Sequence, residues 1–138
     1  MTQKVRELMT GPATTVAPDT DLGTVARMMR DEAIGSVMVT GPDGSVGMVT
    51  DRDMVVRGLS RQGHPETLPV REVCSTDPVS VRPDDDATVA IKMMSDRKVR
   101  RLPVIQDGQV VGVISLGDLA AERDSASVLG TISGAMPS

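Results

Sequence analysis

The sequence contains no Phe, Tyr or Trp. Its core must therefore be filled by aliphatic side chains and by an unusual ten Met, a residue that fills irregular gaps and lines adaptable surfaces. The same absence removes the stacking platforms on which single-stranded bases are held. Basic charge is in deficit: 15 Lys and Arg stand against 19 Asp and Glu, a net charge of -4, which argues against the positive footprint of a nucleic-acid-binding surface. Long hydrophobic runs are missing too. The longest, Val110–Ile114 with its glycine, falls far short of the roughly 20 residues that cross a bilayer. The N-terminal MTQKVRELMT lacks the apolar core of a secretory signal. A lone cysteine, Cys74, permits no internal disulfide and suits the cytoplasm. The expectation is a soluble cytoplasmic protein whose 138 residues form one compact unit, or two small ones sharing a core.

What is present is a repeat. Shifted by 65 places, Val5-Arg6-Glu7 falls on Val70-Arg71-Glu72, and Val16, Pro18, Asp19 and Asp21 fall on Val81, Pro83, Asp84 and Asp86. Met28-Met29 and Asp31 match Met93-Met94 and Asp96; Val39, Gly47 and Asp53 match Val104, Gly112 and Asp118. The register slips only between Gly41 and Gly47. The division is residues 1–64 for the first repeat with its lead-in and linker, 65–124 for the second, and 125–138 for a tail. Units this small bury a poor core alone, so the two are expected to pack on each other about a pseudo-twofold axis.

Each repeat has the same plan. A short amphipathic piece (Val5, Leu8, Met9; Val70, Val73, Cys74) precedes a small strand at Thr14–Val16 or Val79–Val81. Pro18 or Pro83 ends that strand, and acidic residues open a helix. Leu22, Val25, Met28, Met29 and Ala33 keep a helical period, as do Ala87, Ala90, Ile91 and Met94. Two strands follow, Ser36–Thr40 with Val46–Val49, and Arg101–Ile105 with Gln109–Ile114. GPDGS and QDGQ turn between them, Asp-Gly being a hairpin signal. A second helix starts at Asp51 or Leu116. The fold class is α/β (α+β), β-α-β-β-α twice. In the tail, Val128, Leu129 and Ile132 are at helical spacing, fitting either a short helix or a frayed end.

Several features carry no site. Asp84-Asp85-Asp86 is read as a solvated helix start rather than a metal site, and no metal is expected. GPDGSVG lacks the spacing of a nucleotide loop. Cys74, aligned with Met9, is read as a buried small hydrophobe. His64 lies in the loop RQGHPETLP without an orienting partner.

GMVTDRD (Gly47–Asp53) and its echo GVISLGD (Gly112–Asp118) admit two readings. Thr50 with Asp53, and Ser115 with Asp118, have the spacing of a capping box, worth about 1 kcal/mol. They equally fit a binding site. Gly47 and Gly112 remove a side chain where the strand ends, and the helix N-terminus offers amides and positive potential to a phosphate. Arg97, Lys98, Arg100 and Arg101 crowd the neighbouring segment of the second repeat. The residues leave both readings open.

The doubled β-α-β-β-α plan, each unit closing on G-h-x-[ST]-x-x-D, resembles a tandem CBS domain pair, or Bateman module. RRLPVIQDGQVVGVISLGDL is typical of the family, and the likeness runs from about Val5 to Arg123. The chain is similar to small stand-alone bacterial CBS-domain proteins. The resemblance implies two clefts between the repeats that bind AMP, ADP, ATP or a related adenosyl ligand. It places Asp53 and Asp118 on ribose hydroxyls, Thr50 and Ser115 on phosphate, and Arg101, with Arg100 beside it, on the phosphates. It implies one cleft of Thr14, Ile34, Gly35, Arg101, Ser115 and Asp118, and another of Val79, Val99, Arg100, Thr50 and Asp53. Ser36 stands where the second repeat has Arg101, and Met38 where it has Pro103; Arg52 partly replaces the missing arginine. A guanidinium–phosphate bond is about twice as strong as a neutral one, so the first of these clefts is expected to bind nucleotide more tightly.

The expected function is a non-catalytic regulatory module, with no catalytic cofactor, that signals to an unidentified protein partner by a ligand-dependent shift in conformation. A homodimer is expected from the family and from the frequency of twofold assemblies. The rivals are a ligand-free dimeric interaction or stress protein acting through its surface, and, behind both, an enzyme.

Overall fold

The computed structural model describes residues 3–123. Their order is α1 (Val5–Leu8), β1 (Thr15–Val16), α2 (Leu22–Glu32), β2 (Ser36–Thr40), β3 (Val46–Thr50), α3 (Asp51–Asp53), β4 (Ser75–Thr76), α4 (Ala87–Arg97), β5 (Arg101–Gln106), β6 (Gln109–Ser115) and α5 (Leu116–Arg123). A π-helical turn, Met54–Leu59, prolongs α3, and short 3-10 turns occupy Pro65–Thr67 and Val70–Glu72. The helical spacing at Val128, Leu129 and Ile132 lies outside the described residues.

The chain divides into two compact units at Ala13/Thr14 and Pro78/Val79, which is a different division from the sequence repeats. One unit is Thr14–Pro78; the other joins the residues up to Ala13 with those from Val79 onward. Each repeat's lead-in thus belongs to the other repeat's unit.

In the Thr14–Pro78 unit the sheet order is β1-β2-β3-β4. β1 runs parallel to β2, while β2–β3 and β3–β4 are antiparallel, with Ser36 opposite Thr50 and Val39 opposite Gly47. Asp21 caps α2 by accepting a bond from the Thr24 amide at 2.7 Å. The apolar face of α2 (Leu22, Val25, Met29) closes over Val37, Val39 and Val49, and Val70, Val73 and Cys74 complete the cluster. The helix after β3 departs from the expected form: its wide π turn brings Gly58 against Leu22, where a Cβ would lie 2.9 Å from Cδ1.

The other unit pairs β5 with β6, Arg101 opposite Ser115. Its hairpin turns on Asp107-Gly108, both at positive φ (53° and 77°), as a type I′ turn requires. A bulge between Val104 and Ile105 keeps Gly112 opposite Val104, matching Gly47 opposite Val39, so the loop slip seen in sequence is absorbed there. Its core is Val5, Val81, Ala90, Met94, Leu102, Val104, Ile114 and Leu119.

The strand expected at Val79–Val81 is reduced to a parallel bridge between Val81 and Val104. Pro103 explains this. In the first repeat the Met38 amide donates to the Thr14 carbonyl at 2.8 Å. Pro103 occupies the matching position and has no N–H to give to Val79. The remaining bonds, Val81 N to Pro103 O (3.1 Å) and Ile105 N to Val81 O (2.9 Å), both lie at Val81.

Candidate functional site

Each unit gathers its candidate residues at one end of its sheet. In the Thr14–Pro78 unit, Thr14 precedes β1, Ile34 and Gly35 form the turn into β2, and Thr50 ends β3 opposite Ser36. In the other, Val79 precedes the Val81 bridge, Val99 and Arg100 form the turn into β5, and Arg101 opens β5 opposite Ser115. Directly opposite residues of an antiparallel pair have Cβ atoms about 5 Å apart, so the guanidinium stem of Arg101 starts beside the Ser115 hydroxyl.

The turns are set by unusual helix ends. Ala33 and Lys98 adopt left-handed conformations (φ 54° and 55°), letting the Ile34 amide reach the Met29 carbonyl at 3.0 Å and the Val99 amide reach that of Met94 at 3.1 Å. This is the six-to-one bond of a Schellman end, built without glycine. Ile34 and Val79 also pack against their own cores.

Both capping boxes are present. The Thr50 amide donates to Asp53 Oδ2 at 2.9 Å and the Asp53 amide to Thr50 Oγ1 at 3.1 Å. The Ser115 amide donates to Asp118 Oδ2 at 2.9 Å and the Asp118 amide to Ser115 Oγ at 3.1 Å. Ser115 is buried. A carboxylate can cap with one oxygen and accept a ligand hydroxyl with the other, so the cap does not displace the binding role.

Two arguments for the site need correction. Gly47 and Gly112 do not clear room for a ligand. A Cβ on Gly47 would stand 2.9 Å from the Ser75 carbonyl and 3.2 Å from Cys74 Sγ; on Gly112, 2.7 Å from the Thr10 carbonyl and 2.9 Å from Met9 Sδ. The glycines admit the lead-ins. Nor does the first motif present open amides. Asp51 N donates to the Gly35 carbonyl (3.0 Å), Arg52 N to Asp51 Oδ1 (2.8 Å) and Asp53 N to Thr50 Oγ1 (3.1 Å). In the second motif Leu116 N donates to the Arg100 carbonyl at 2.8 Å, and Leu116 brings no carboxylate to the next amide.

Sequence reasoning missed Glu32, at the end of α2, whose Oε1 accepts from the Thr14 hydroxyl at 2.7 Å. It also passed over Asp51, whose charge was visible but whose bond to the next amide was not. The acidic triplet has local partners: Asp84 pairs with Arg6, and Asp85 Oδ2 accepts from the Arg82 amide at 2.8 Å. Among the described residues no three His, Cys, Asp or Glu side chains cluster as a metal site, and no helix is long and apolar enough to cross a membrane. Cys74 is buried, its thiol pushed up by burial and its S–H 3.7 Å from the Arg71 carbonyl. His64 is exposed, with Glu66 Oε1 3.3 Å from Nδ1, a partner the sequence did not reveal.

A β-α-β-β-α unit closing on a hydroxyl–carboxylate cap, present twice, defines a pair of CBS domains. The CBS domain family matches the chain at residues 5–59 and 70–125, and the chain belongs to it. Among its relatives, the CBS domain-containing protein YhcV of Bacillus subtilis is 35% identical over 121 residues, covering 88% of this chain and 86% of that protein. Hypoxic response protein 1 of Mycobacterium tuberculosis is 31% identical over 116 residues, covering 83% and 81%. The CBS domain pair of protein MJ0100, solved with 5′-methylthioadenosine and S-adenosyl-L-methionine, shares the fold with a TM-score of 0.82 at 16% identity, covering 92% of this chain and 100% of that one.

Proposed function

We propose that the protein is a non-catalytic regulatory module that binds adenosine-type ligands (AMP, ADP, ATP or a related adenosyl compound) and passes their binding to a partner as a conformational bias. The observation that carries this is the cross-strand placement of Arg101 opposite Ser115, with Asp118 bonded to the same serine. Cation, hydroxyl and carboxylate then meet at one sheet end, the set needed for a phosphate and a ribose. The adenosyl ligands of the MJ0100 pair support the same ligand class.

Arg101, Ser115 and Asp118, with Thr14, Ile34 and Gly35, are the residues of the tighter nucleotide site. Thr50 and Asp53, with Val79, Val99 and Arg100, are those of the weaker one. The base is held by aliphatic groups and backbone, there being no aromatic ring in the chain. The module works in the cytoplasm, without a catalytic cofactor, as a homodimer. Val55, Val56 and Leu59, exposed at 58%, 54% and 65%, support an apolar contact with a second copy.

Thermal melting with AMP, ATP, NAD and S-adenosylmethionine tests the reading. A bound ligand at 100 times its dissociation constant adds about 2.7 kcal/mol of stability. Unchanged melting across the panel contradicts it and favours a protein that acts through its surface alone.

A further inference from the structure

The turn into β5 reverses the charge of the chain that carries it. Arg97, Lys98 and Arg100 put three cations within four residues of a protein whose net charge is -4. All three are exposed, and among the described residues none has a carboxylate partner. Asp96, the nearest acid in sequence, is taken by Lys92 Nζ at 3.3 Å. Like charges held together repel, so the cluster has no stabilising part in the fold. The matched turn of the first repeat, Glu32 to Gly35, holds no cation, and its Glu32 accepts from Thr14.

Apolar groups stand beside these cations. Val99 is 37% exposed and Leu116 43%, whereas Ile34, which matches Val99, packs against the core of its own unit. Two backbone bonds fix the arrangement. The Val99 amide donates to the Met94 carbonyl at 3.1 Å, closing the end of α4. The Leu116 amide donates to the Arg100 carbonyl at 2.8 Å, holding the start of α5 beside the turn. Two aliphatic side chains thus stand next to three cations on a fixed ledge. Apolar anchors rimmed by charge, with arginine among them, are the composition of a protein-recognition surface. The sign of the charge calls for acidic residues on the partner. A nucleic acid is the other polyanion, but the chain offers a base no aromatic ring, and aliphatic groups add nothing to phosphate contacts.

We infer that the Arg97–Arg100 turn, with Leu116, is a docking surface for an acidic protein segment with apolar side chains between its carboxylates. Val99 and Arg100 also belong to the weaker nucleotide site proposed above. Nucleotide and partner therefore exclude each other there, which adds direct competition to the conformational bias. That exclusion rests on the adenosine-binding reading; the surface itself does not.

The test is fluorescence anisotropy of a labelled peptide in which pairs of Glu alternate with pairs of Leu, titrated with the full chain. Binding should weaken at least about tenfold in Arg97→Ala/Lys98→Ala and in Leu116→Ser, and should fall as salt rises. Arg82→Ala, which removes an exposed cation elsewhere, should leave it unchanged. Peptides with Gln for Glu, or Ser for Leu, should each bind at least about tenfold more weakly. Melting of each variant without peptide checks that it folds. No binding, equal binding of the Gln or Ser peptide, or duplex DNA bound as tightly as the peptide would each overturn the surface. Self-association of the free chain that sedimentation shows to be lost in Leu116→Ser would overturn it too, by giving this face to a second copy. AMP at a concentration that calorimetry shows to fill both nucleotide sites should displace the peptide; a peptide left in place overturns the exclusion alone. If no nucleotide binds, the adenosine reading and the exclusion fall together, while the peptide titrations still decide the surface.

Discussion

Gly47 and Gly112 sit opposite Val39 and Val104, and each faces a main-chain carbonyl of a lead-in, Ser75 or Thr10. Backbone cannot step aside as a flexible side-chain tip can. Gly112→Ala should therefore destabilise the protein by about 1–3 kcal/mol, the usual range for overpacking. Chemical denaturation of the variant measures this; a loss under about 0.5 kcal/mol, typical of an indifferent surface position, would contradict the packing role. The capping boxes were legible because hydroxyl and carboxylate lie three residues apart, a purely local relation. The glycines were visible but assigned the wrong neighbour. What approaches Gly112 is Met9 and Thr10, about a hundred residues away in the chain, and no local pattern encodes that. The bond from Thr14 to Glu32 escaped because it joins the start of β1 to the end of α2, which no local pattern encodes.

The elements exchange partners. Val5 lies in the first repeat's sequence yet packs with Val81, Val104 and Ile114, while Val70 and Val73 pack with Val25, Val37 and Val49. Val5→Ala removes two buried methyl groups and leaves a cavity, a loss of about 2 kcal/mol. Hydrogen exchange should show the weakened protection in α4, β5 and β6, with β2 and β3 unaffected. Weakening centred on β2 and β3 would contradict the exchange. The strands of both hairpins were legible from the Asp-Gly turns between them, to within a residue at their ends. The second repeat's first strand was over-read because Val79–Val81 has strand composition. Its failure depends on Pro103, whose missing N–H matters only once that residue is known to face Val79. The π turn at Met54–Leu59 carries no periodic signature distinct from an ordinary helix.

At the scale of the molecule, duplication made the family legible, since a 65-residue self-match doubles every motif and marks their equivalent positions. It also exposed their differences. The same serine–aspartate cap that starts α5 stands beside Arg101, whereas the threonine–aspartate cap of α3 stands beside Ser36. The most direct test of the account is calorimetric titration of AMP into Asp53→Ala and Asp118→Ala. Asp118→Ala should weaken the AMP site by about tenfold or more, as loss of charge-assisted hydrogen bonds does, and Asp53→Ala should leave it nearly unchanged. Greater loss from Asp53→Ala would contradict the account.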